Sequence, residues 1–597
     1  MLQAQFEAAF ADYRDGRLGA ADRKLRRLRK DLPDEPDILQ LSALVAMRGG
    51  HPGGALPLLE RALRLAPQQP ALWSLYGNAL GLAGRTQDSA AAFRQATALA
   101  PDSAADRYNL ANALAALGET DGAVEAYRAA IRLEPGSADA RFNLARLLRR
   151  MQRQDEARDA LRPAADAQPD DPEIAGLYAA LLVDAGDYDE AERRTARFDP
   201  RHSDSVMLLD ACARLHYRRQ ELDAALDCAE RAAALEPDNP RLRTFLAQML
   251  HRLGRLDAAE SGYRAALALA ADEPETHVNL GTLLLLRGQG AEGWAEFGWR
   301  WRVPGQAPPD FPLPWWQGEP LAGRAILLWQ DEGVGDVLCF GTLIPALLAQ
   351  GARIRVECDA RLIAMLERAF PGLDCRARQV PADPALAEGM ALQCPFSELP
   401  RHLIADMETV VPPAAQVAAD PARAAAARAR YAALGPEPKI GISWATHNLR
   451  WPDKTASLAG WAPVLRCPGV RFVNLQYGDH AAEIAAAEAR FGIAIHSDPA
   501  VDQKRSLEDF AAQIAALDLV ISISCTTVHV AGALGVPTWV MLPNTPDWRH
   551  GLVRPASPWY RSVRYLRQAA PGRWDDVLAG AAAVLGGGPG AWTVAGG

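Results

Sequence analysis

The sequence has no CxxC pair. Its eight cysteines are scattered, so neither a disulfide framework nor a zinc site is suggested. No apolar run is long enough to span a bilayer. The opening stretch, MLQAQFEAAFADYRDGRL, sets acidic residues among apolar ones and lacks a signal-peptide core, so the cytoplasm is the expected compartment. Basic residues are not in excess: a net charge of −9 over 597 residues leaves no footprint for nucleic acid. What is present is an ordinary apolar share, 49%, in a chain too long for one core, since single cores rarely exceed ~250–300 residues.

The first half repeats. WSLYGNALGLAGRTQDSAAAFRQATALAP (73–101) aligns with RYNLANALAALGETDGAVEAYRAAIRLEP (107–135) at an offset of 34 residues. Trp73 and Arg107, Gly77 and Ala111, Gly84 and Gly118, Phe93 and Tyr127, Ala96 and Ala130, and Pro101 and Pro135 take matching places. Small residues at 77/111 and 96/130 let two helices of a hairpin approach, the aromatic at 93/127 fills the space between them, and the proline stops the second helix. This pattern resembles the tetratricopeptide repeat. About nine units are expected between residues 3 and 300, with an irregular pair near 173–240. Each hairpin leaves an apolar face that only its neighbour can cover, so an α-solenoid with a concave groove follows.

Asn109, Asn143 and Asn279 fall at one repeat position, on the first helix, where a side chain should face the groove. An asparagine there can donate to and accept from a backbone amide and so read an extended peptide without regard to its side chains. They can equally be solvated, or bonded within the solenoid. A repeat array binds; it does not specify chemistry.

Residues 303–324, VPGQAPPDFPLPWWQGEPLAGR, are rich in proline and glycine and read as a linker after a 1–302 solenoid. From 325 the pattern alternates. AILLWQ is a strand, DVLCFGTLIPALLAQG a helix, RIRVEC a strand and ARLIAMLERAF a helix. After an irregular stretch the alternation restarts with KIGISWA, RFVNLQY, IAIHS, DLVISIS and PTWVML. Buried parallel strands joined by helices make doubly wound sheets, and the break suggests two, 325–437 and 438–585, with a flexible tail at 586–597. Ligands of such folds collect at the carboxyl ends of the strands.

Four stretches, ILLWQDEGVGDVLCF, GISWATHNLRWPDKTASLAGW, FVNLQYGD and DLVISISCTTVHVAGALGVPTWVMLPNTPDWRHGL, resemble the heptosyltransferase-like glycosyltransferases of GT-B fold, above all bacterial relatives that carry tetratricopeptide repeats. The likeness spans about residues 310–580. It implies two Rossmann-like lobes, an acceptor-side lobe first and a nucleotide-sugar lobe second. It further implies an inverting transfer of sugar to Ser or Thr of a protein in the groove, and an asparagine ladder for holding that protein. Some proteins built this way glycosylate flagellin, which makes flagellin an acceptor to which the resemblance points.

Glycosyl transfer needs a base for the acceptor hydroxyl and a site that stabilises the departing phosphate. Gly333 and Gly335 of EGVGD would allow a tight turn and close substrate approach. Asp336 matches the aspartate proposed as general base in heptosyltransferases; an aspartate there also caps a helix. CTTVHVAGALG opens a helix after a strand and turns amide N–H groups and the positive dipole end toward the donor. Thr526 and Thr527 would add hydroxyl donors, His529 lies one turn in, and Gly532 would admit close helix–sheet packing. Outside that block His529 would read as a core histidine.

Relatives often carry Asp where this chain has Ser524, followed by Cys525. A donor with its own carboxylate, such as a CMP-linked nonulosonic acid, would tolerate that loss of charge. Lys454 matches the phosphate-contacting lysine of the family and is otherwise a surface lysine. Trp444 and Gln476 end neighbouring strands and could meet the nucleotide base, and Arg549, beside Asp547 and Trp548, a sugar carboxylate or phosphate. Trp548 could also be core. No metal or other cofactor is expected, since inverting GT-B enzymes use helix ends and basic side chains. The Asp-x-Asp at 187–189 reads as a turn between helices. Two other readings stay open: transfer of sugar to lipopolysaccharide or another glycan, and an inactive repeat scaffold.

Overall fold

Helical hairpins follow one another from Leu2 to Phe297, eighteen α-helices among the described residues. The computed structural model describes residues 2–404, 410–413, 416–446 and 454–592. The chain divides into two compact units, Met1–Leu215 and His216–Gly597, and not at the expected 302/303 boundary.

In the first unit the small-and-aromatic pairing does what its spacing implies. A Cβ on Gly77 would stand 2.9 Å from Phe93 Cζ, so the ring lies directly on the bare backbone. Gly84 and Gly118 end their helices at φ +77° and +80°, the left-handed region that glycine enters without strain. The irregular stretch also has a cause. Helix Tyr188–Thr195 is short, and Pro172–Ala185 packs straight onto Val206–Arg218, with the backbone of Leu208 within 2.6 Å of where a Cβ on Gly176 would sit. Asp187 caps the short helix by accepting from the Glu190 amide at 3.2 Å, so the Asp-x-Asp is a helix start.

The second unit begins with the remaining repeats and ends in two parallel sheets. β1 (Ala325–Trp329), β2 (Arg353–Cys358), β3 (Asp374–Ala377) and β4 (Leu392–Pro395) lie in the order β3-β2-β1-β4. β5 (Lys439–Ser443), β6 (Arg471–Asn474), β7 (Ile495–His496), β8 (Leu519–Ile523), β9 (Thr538–Leu542) and β10 (Val563–Arg567) lie in the order β10-β9-β8-β5-β6-β7. Every residue of β1, β5, β8 and β9 is buried, as for parallel strands covered on both faces. The single helix expected over 336–351 is two, Val334–Gly341 and Ile344–Ala349, because Pro345 can neither donate to nor clear the preceding turn.

Three expected boundaries need correction. The 303–324 segment is no free linker: Phe311, Trp316 and Leu321 are buried. Gln393 of β4 donates from Nε2 to the carbonyls of Phe311 and Leu313, while Trp316 N donates to Gln393 O at 2.9 Å. The segment therefore extends the edge of the first sheet. Helix Pro421–Ala432, placed by sequence with the first lobe, is tied to the second by Arg423–Asp509 at 2.6 Å and Arg430–Asp498 at 2.9 Å. The tail begins later than 586: Trp592 is buried, accepts at its carbonyl from Trp539 Nε1 and donates from its own Nε1 to Leu585 O.

Candidate functional site

Segments leaving the carboxyl ends of β1, β8 and β9 meet. After β1, Gly333 is the N-cap residue of the 334–341 helix and Asp336 its third residue; the Gly333 amide donates to Asp336 Oδ2 at 3.1 Å. The other carboxylate oxygen, Oδ1, stands 3.0 Å from Arg549 Nε, an ion pair across the two sheets. Asp336 thus caps its helix, and it keeps 22% of its side-chain surface exposed.

Arg549 sits in the turn Trp548–His550 after β9 and is 13% exposed. Its Nη1 donates to Asp547 Oδ1 at 2.8 Å, and its guanidinium lies over the rings of Phe340 and Trp548. Burial alone would discharge it, but Asp336, Asp547 and Glu332 outweigh burial and hold its pKa well above the usual value. For Asp547 burial is likewise overcome, by Arg549, Lys454 and His550, and its carboxyl is held well below the usual range. Two cations and several carboxylates therefore gather at one place.

The start of the 526–533 helix follows β8. Its N-cap residue, Cys525, makes no side-chain cap, which leaves the first amides of the helix without that partner. Thr527 is buried and Thr526 partly so. His529 has Nδ1 3.1 Å from the Tyr560 hydroxyl; burial, with Arg549 and Lys454 adding to it against Asp336, lowers its pKa to about 4, so the ring is neutral near pH 7. Ser524 is occupied: its Oγ is 2.8 Å from His550 Nε2, and His550 Nδ1 is 3.0 Å from the Tyr565 hydroxyl. Burial, with Lys454 contributing, holds His550 well below its usual pKa despite Asp547. At this position a serine serves a neutral histidine where a carboxylate would favour a charged one.

Several expectations change at this point. Gly335 does not admit a substrate. A Cβ there would lie 2.7 Å from His529 Cδ2, so its smallness lets the 334–341 and 526–533 helices touch. Gly333 has φ −73°, open to any residue, and only its amide is used. Gly532 faces the Tyr560 ring, 2.5 Å from an added Cβ, and not the sheet. Trp444 is fully buried in the second sheet's core and donates to Glu483. Gln476 is spent on structure: its Oε1 accepts from Trp444 N, Ala445 N and Ser443 Oγ. Neither side chain can meet a nucleotide base as placed. Trp548 is core, between Phe340 and Trp294.

Lys454 bears electrostatically on His529, Asp547 and His550, while the preceding 447–453 of its motif lie outside the described residues. In the repeats, Asn143 Nδ2 donates to the Tyr108 hydroxyl at 2.8 Å, a bond within the array. Asn109 and Asn279 are partly exposed. Sequence reasoning missed Glu332, which stands open to solvent in a crowded loop. The crowding of the loop first, with Asp336 and Asp331 adding and Arg549 opposing, raises its carboxyl above the usual range. The acidic run Asp331-Glu332 was the available signal. His550 and Tyr560 gave none by spacing.

Residues 114–181 and, separately, 6–70, 41–104 and 212–274 match the tetratricopeptide repeat family. The helical hairpins of those ranges are tetratricopeptide repeats. The chain is 32% identical over 326 residues to Protein FlbA of Caulobacter vibrioides, covering 51% of this chain and 54% of that protein. It thus spans about half the length of the curated relative it matches. Among solved structures, MamA 41-end from Desulfovibrio magneticus is 18% identical and covers 28% of this chain and 93% of its own, with a TM-score of 0.27. A tetratricopeptide repeat protein from Parabacteroides merdae is 17% identical and covers 42% and 98%, with a TM-score of 0.36.

Proposed function

We propose that the chain is a metal-independent inverting glycosyltransferase of GT-B type, moving a sugar from a nucleotide donor to Ser or Thr of a protein held by the repeats. The observation that carries this reading is the 3.0 Å approach of Asp336, beyond β1, to Arg549, beyond β9, with the uncapped 526–533 helix start beside them. Asp336 takes the proton of the acceptor hydroxyl as its oxygen bonds to the anomeric carbon. The bond from that carbon to the phosphate oxygen breaks, and the leaving phosphate takes the electron pair. Arg549, Lys454, the Thr526 hydroxyl and the first helix amides meet the new charge. An incoming phosphate competes with Asp336 for Arg549, so donor binding frees the carboxylate that the reaction needs. With Ser524 already paired to His550, a donor bearing a carboxylate, such as a nonulosonic acid, meets no repelling charge there.

Asn109, and Asn279 in its own unit, are each placed to pair with an acceptor backbone, and flagellin is the acceptor to which the resemblance points. One observation favours an inactive scaffold instead: both oxygens of Asp336 are already engaged. Mass spectrometry of flagellin co-expressed with the full chain separates the readings. A glycosyl mass on Ser or Thr, lost with Asp336→Ala, supports transfer; an unmodified acceptor that still binds supports the scaffold. Removing residues 1–205, which leaves the 206–218 helix whole, should abolish transfer to the protein if the repeats present it.

A further inference from the structure

Arg300 lies in the turn Gly298–Arg302 that closes the last repeat, and its side chain is 5% exposed. Its Nη2 donates to Ser397 Oγ at 2.9 Å and to Glu398 Oε1 at 2.6 Å, and stands 3.9 Å from Asp331 Oδ2. The guanidinium rests over the rings of Phe297 and Trp301, at 4.4 and 4.3 Å. Asp331, two residues beyond β1, accepts from Ser397 N at 3.2 Å and from the Ser397 hydroxyl. Burial raises its pKa, with Arg300 and Ser397 opposing. The loop it belongs to is also tied by Gln330 Nε2 to Glu332 O at 2.9 Å and by Gly333 N to Asp336 Oδ2. Of these anchors, Asp331 is the one that reaches the repeats.

The second loop leans on the same place. Trp548, next to Arg549, meets Trp294 edge to face at 5.2 Å between centroids and Phe297 at 6.3 Å. The Thr545 hydroxyl donates to Arg252 O at 3.4 Å, and a Cβ on Gly254 would stand 3.0 Å from Asn544 Nδ2. Buried ion networks often do no more than fill space. Here two loops from different sheets, carrying the two members of one ion pair, both rest on the last repeat, and the second loop also touches the repeat before it.

We propose that the last repeat, residues 274–302, is a positioning part of the site: Arg300 sets the 330–336 loop while Trp294 and Phe297 set the 544–550 loop. Asp336 and Arg549 keep their spacing only while that repeat is seated. The kinetic side of this inference rests on the glycosyl-transfer reading; the structural side does not.

The test uses the full chain carrying Arg300→Met, Arg300→Lys or Trp294→Leu. It follows amide hydrogen exchange and, with co-expressed flagellin as acceptor, the rate of transfer. In Arg300→Met, exchange in 330–340 should rise at least roughly tenfold while the repeats of 6–181 are unchanged. Turnover should fall roughly a hundredfold with the acceptor KM unmoved, since a displacement of about 1 Å is enough for that. Arg300→Lys should recover part of it, keeping the charge but not the planar fork. Trp294→Leu should raise exchange in 544–550 instead.

Should Arg300→Met fail to fold, Ser397→Ala removes the hydroxyl between Arg300 and Asp331 while keeping Arg300–Glu398, and should show the same local rise. Unchanged exchange and turnover in the folded variant overturn the proposal. If the wild-type chain transfers no sugar, the functional reading fails, and the exchange result still decides the positioning.

Discussion

Gly77 and Gly335 are both glycines on which a neighbouring ring leaves no room for a side chain: a Cβ would meet Phe93 at 2.9 Å in one case and His529 at 2.7 Å in the other. Phe93 belongs to the same hairpin as Gly77, and the pair returns one period later as Ala111 and Tyr127. His529 comes from the other sheet, and its meeting with Gly335 happens once. The repeats are built from local contacts that copy themselves; the α/β half is built from single contacts between distant segments. The first kind tolerates change because neighbours share the load, and the second has no copy elsewhere to share it.

The largest test of that difference is Arg549→Met. It strips a buried cation from Asp336 and Asp547, and breaking a buried pair on one side costs about 3–5 kcal/mol. Denaturant unfolding should show that loss in the transition reporting the α/β half, with the transition of residues 1–215 unmoved. Next comes a matched pair, Gly335→Ala against Gly77→Ala. Overpacking typically costs about 1–3 kcal/mol, and Gly335→Ala should take the upper part, since His529 is also held by Tyr560. Gly77→Ala should cost less, because alanine already stands at the matching place, residue 111. Equal losses would remove the distinction.

The most diffuse effect is the pH dependence. Folded His529, His251 and His550 have pKa values lowered to about 4, to about 3 and well below the usual value. The unfolded chain takes up these protons as pH falls through about 6.5, and the folded chain does so only later. Stability should therefore drop as pH falls from about 6.5 toward 4, by at most about 1.4 kcal/mol per pKa unit before solvent screening. Glu332, raised above its usual value, works the other way, binding its proton more tightly when folded. Asp331 and Glu357 are raised as well and act with Glu332, so the histidine share is read by comparison: His529→Gln should lose less Tm on acidification than the wild type. An equal loss in both chains between pH 6.5 and 5 would show that His529 is not held neutral.

The same contrast explains what could be read without coordinates. The repeats were legible because each small residue and its aromatic partner sit at fixed spacing, and the strands because they are short apolar runs. Asp336 stood out within its glycine loop. Trp444 and Gln476 misled because a strand end has structural needs as well as chemical ones. Trp444 turns back into the core, and Gln476 supplies an acceptor to two backbone amides that the sheet leaves over. Arg300 and its partners were invisible, since nothing local marks an arginine in a repeat as the counter-charge of carboxylates far along the chain. The 303–324 segment looked free because proline and glycine hide the few apolar residues that seat it.

Asp336→Asn separates a working base from a helix cap, because it keeps the side chain's size and its capping oxygen while removing the charge. Transfer of sugar to co-expressed acceptor should fall by roughly 10²–10⁴ with acceptor binding intact, the range expected for losing a general base. Modification at the wild-type rate would mean that Asp336 is not the base.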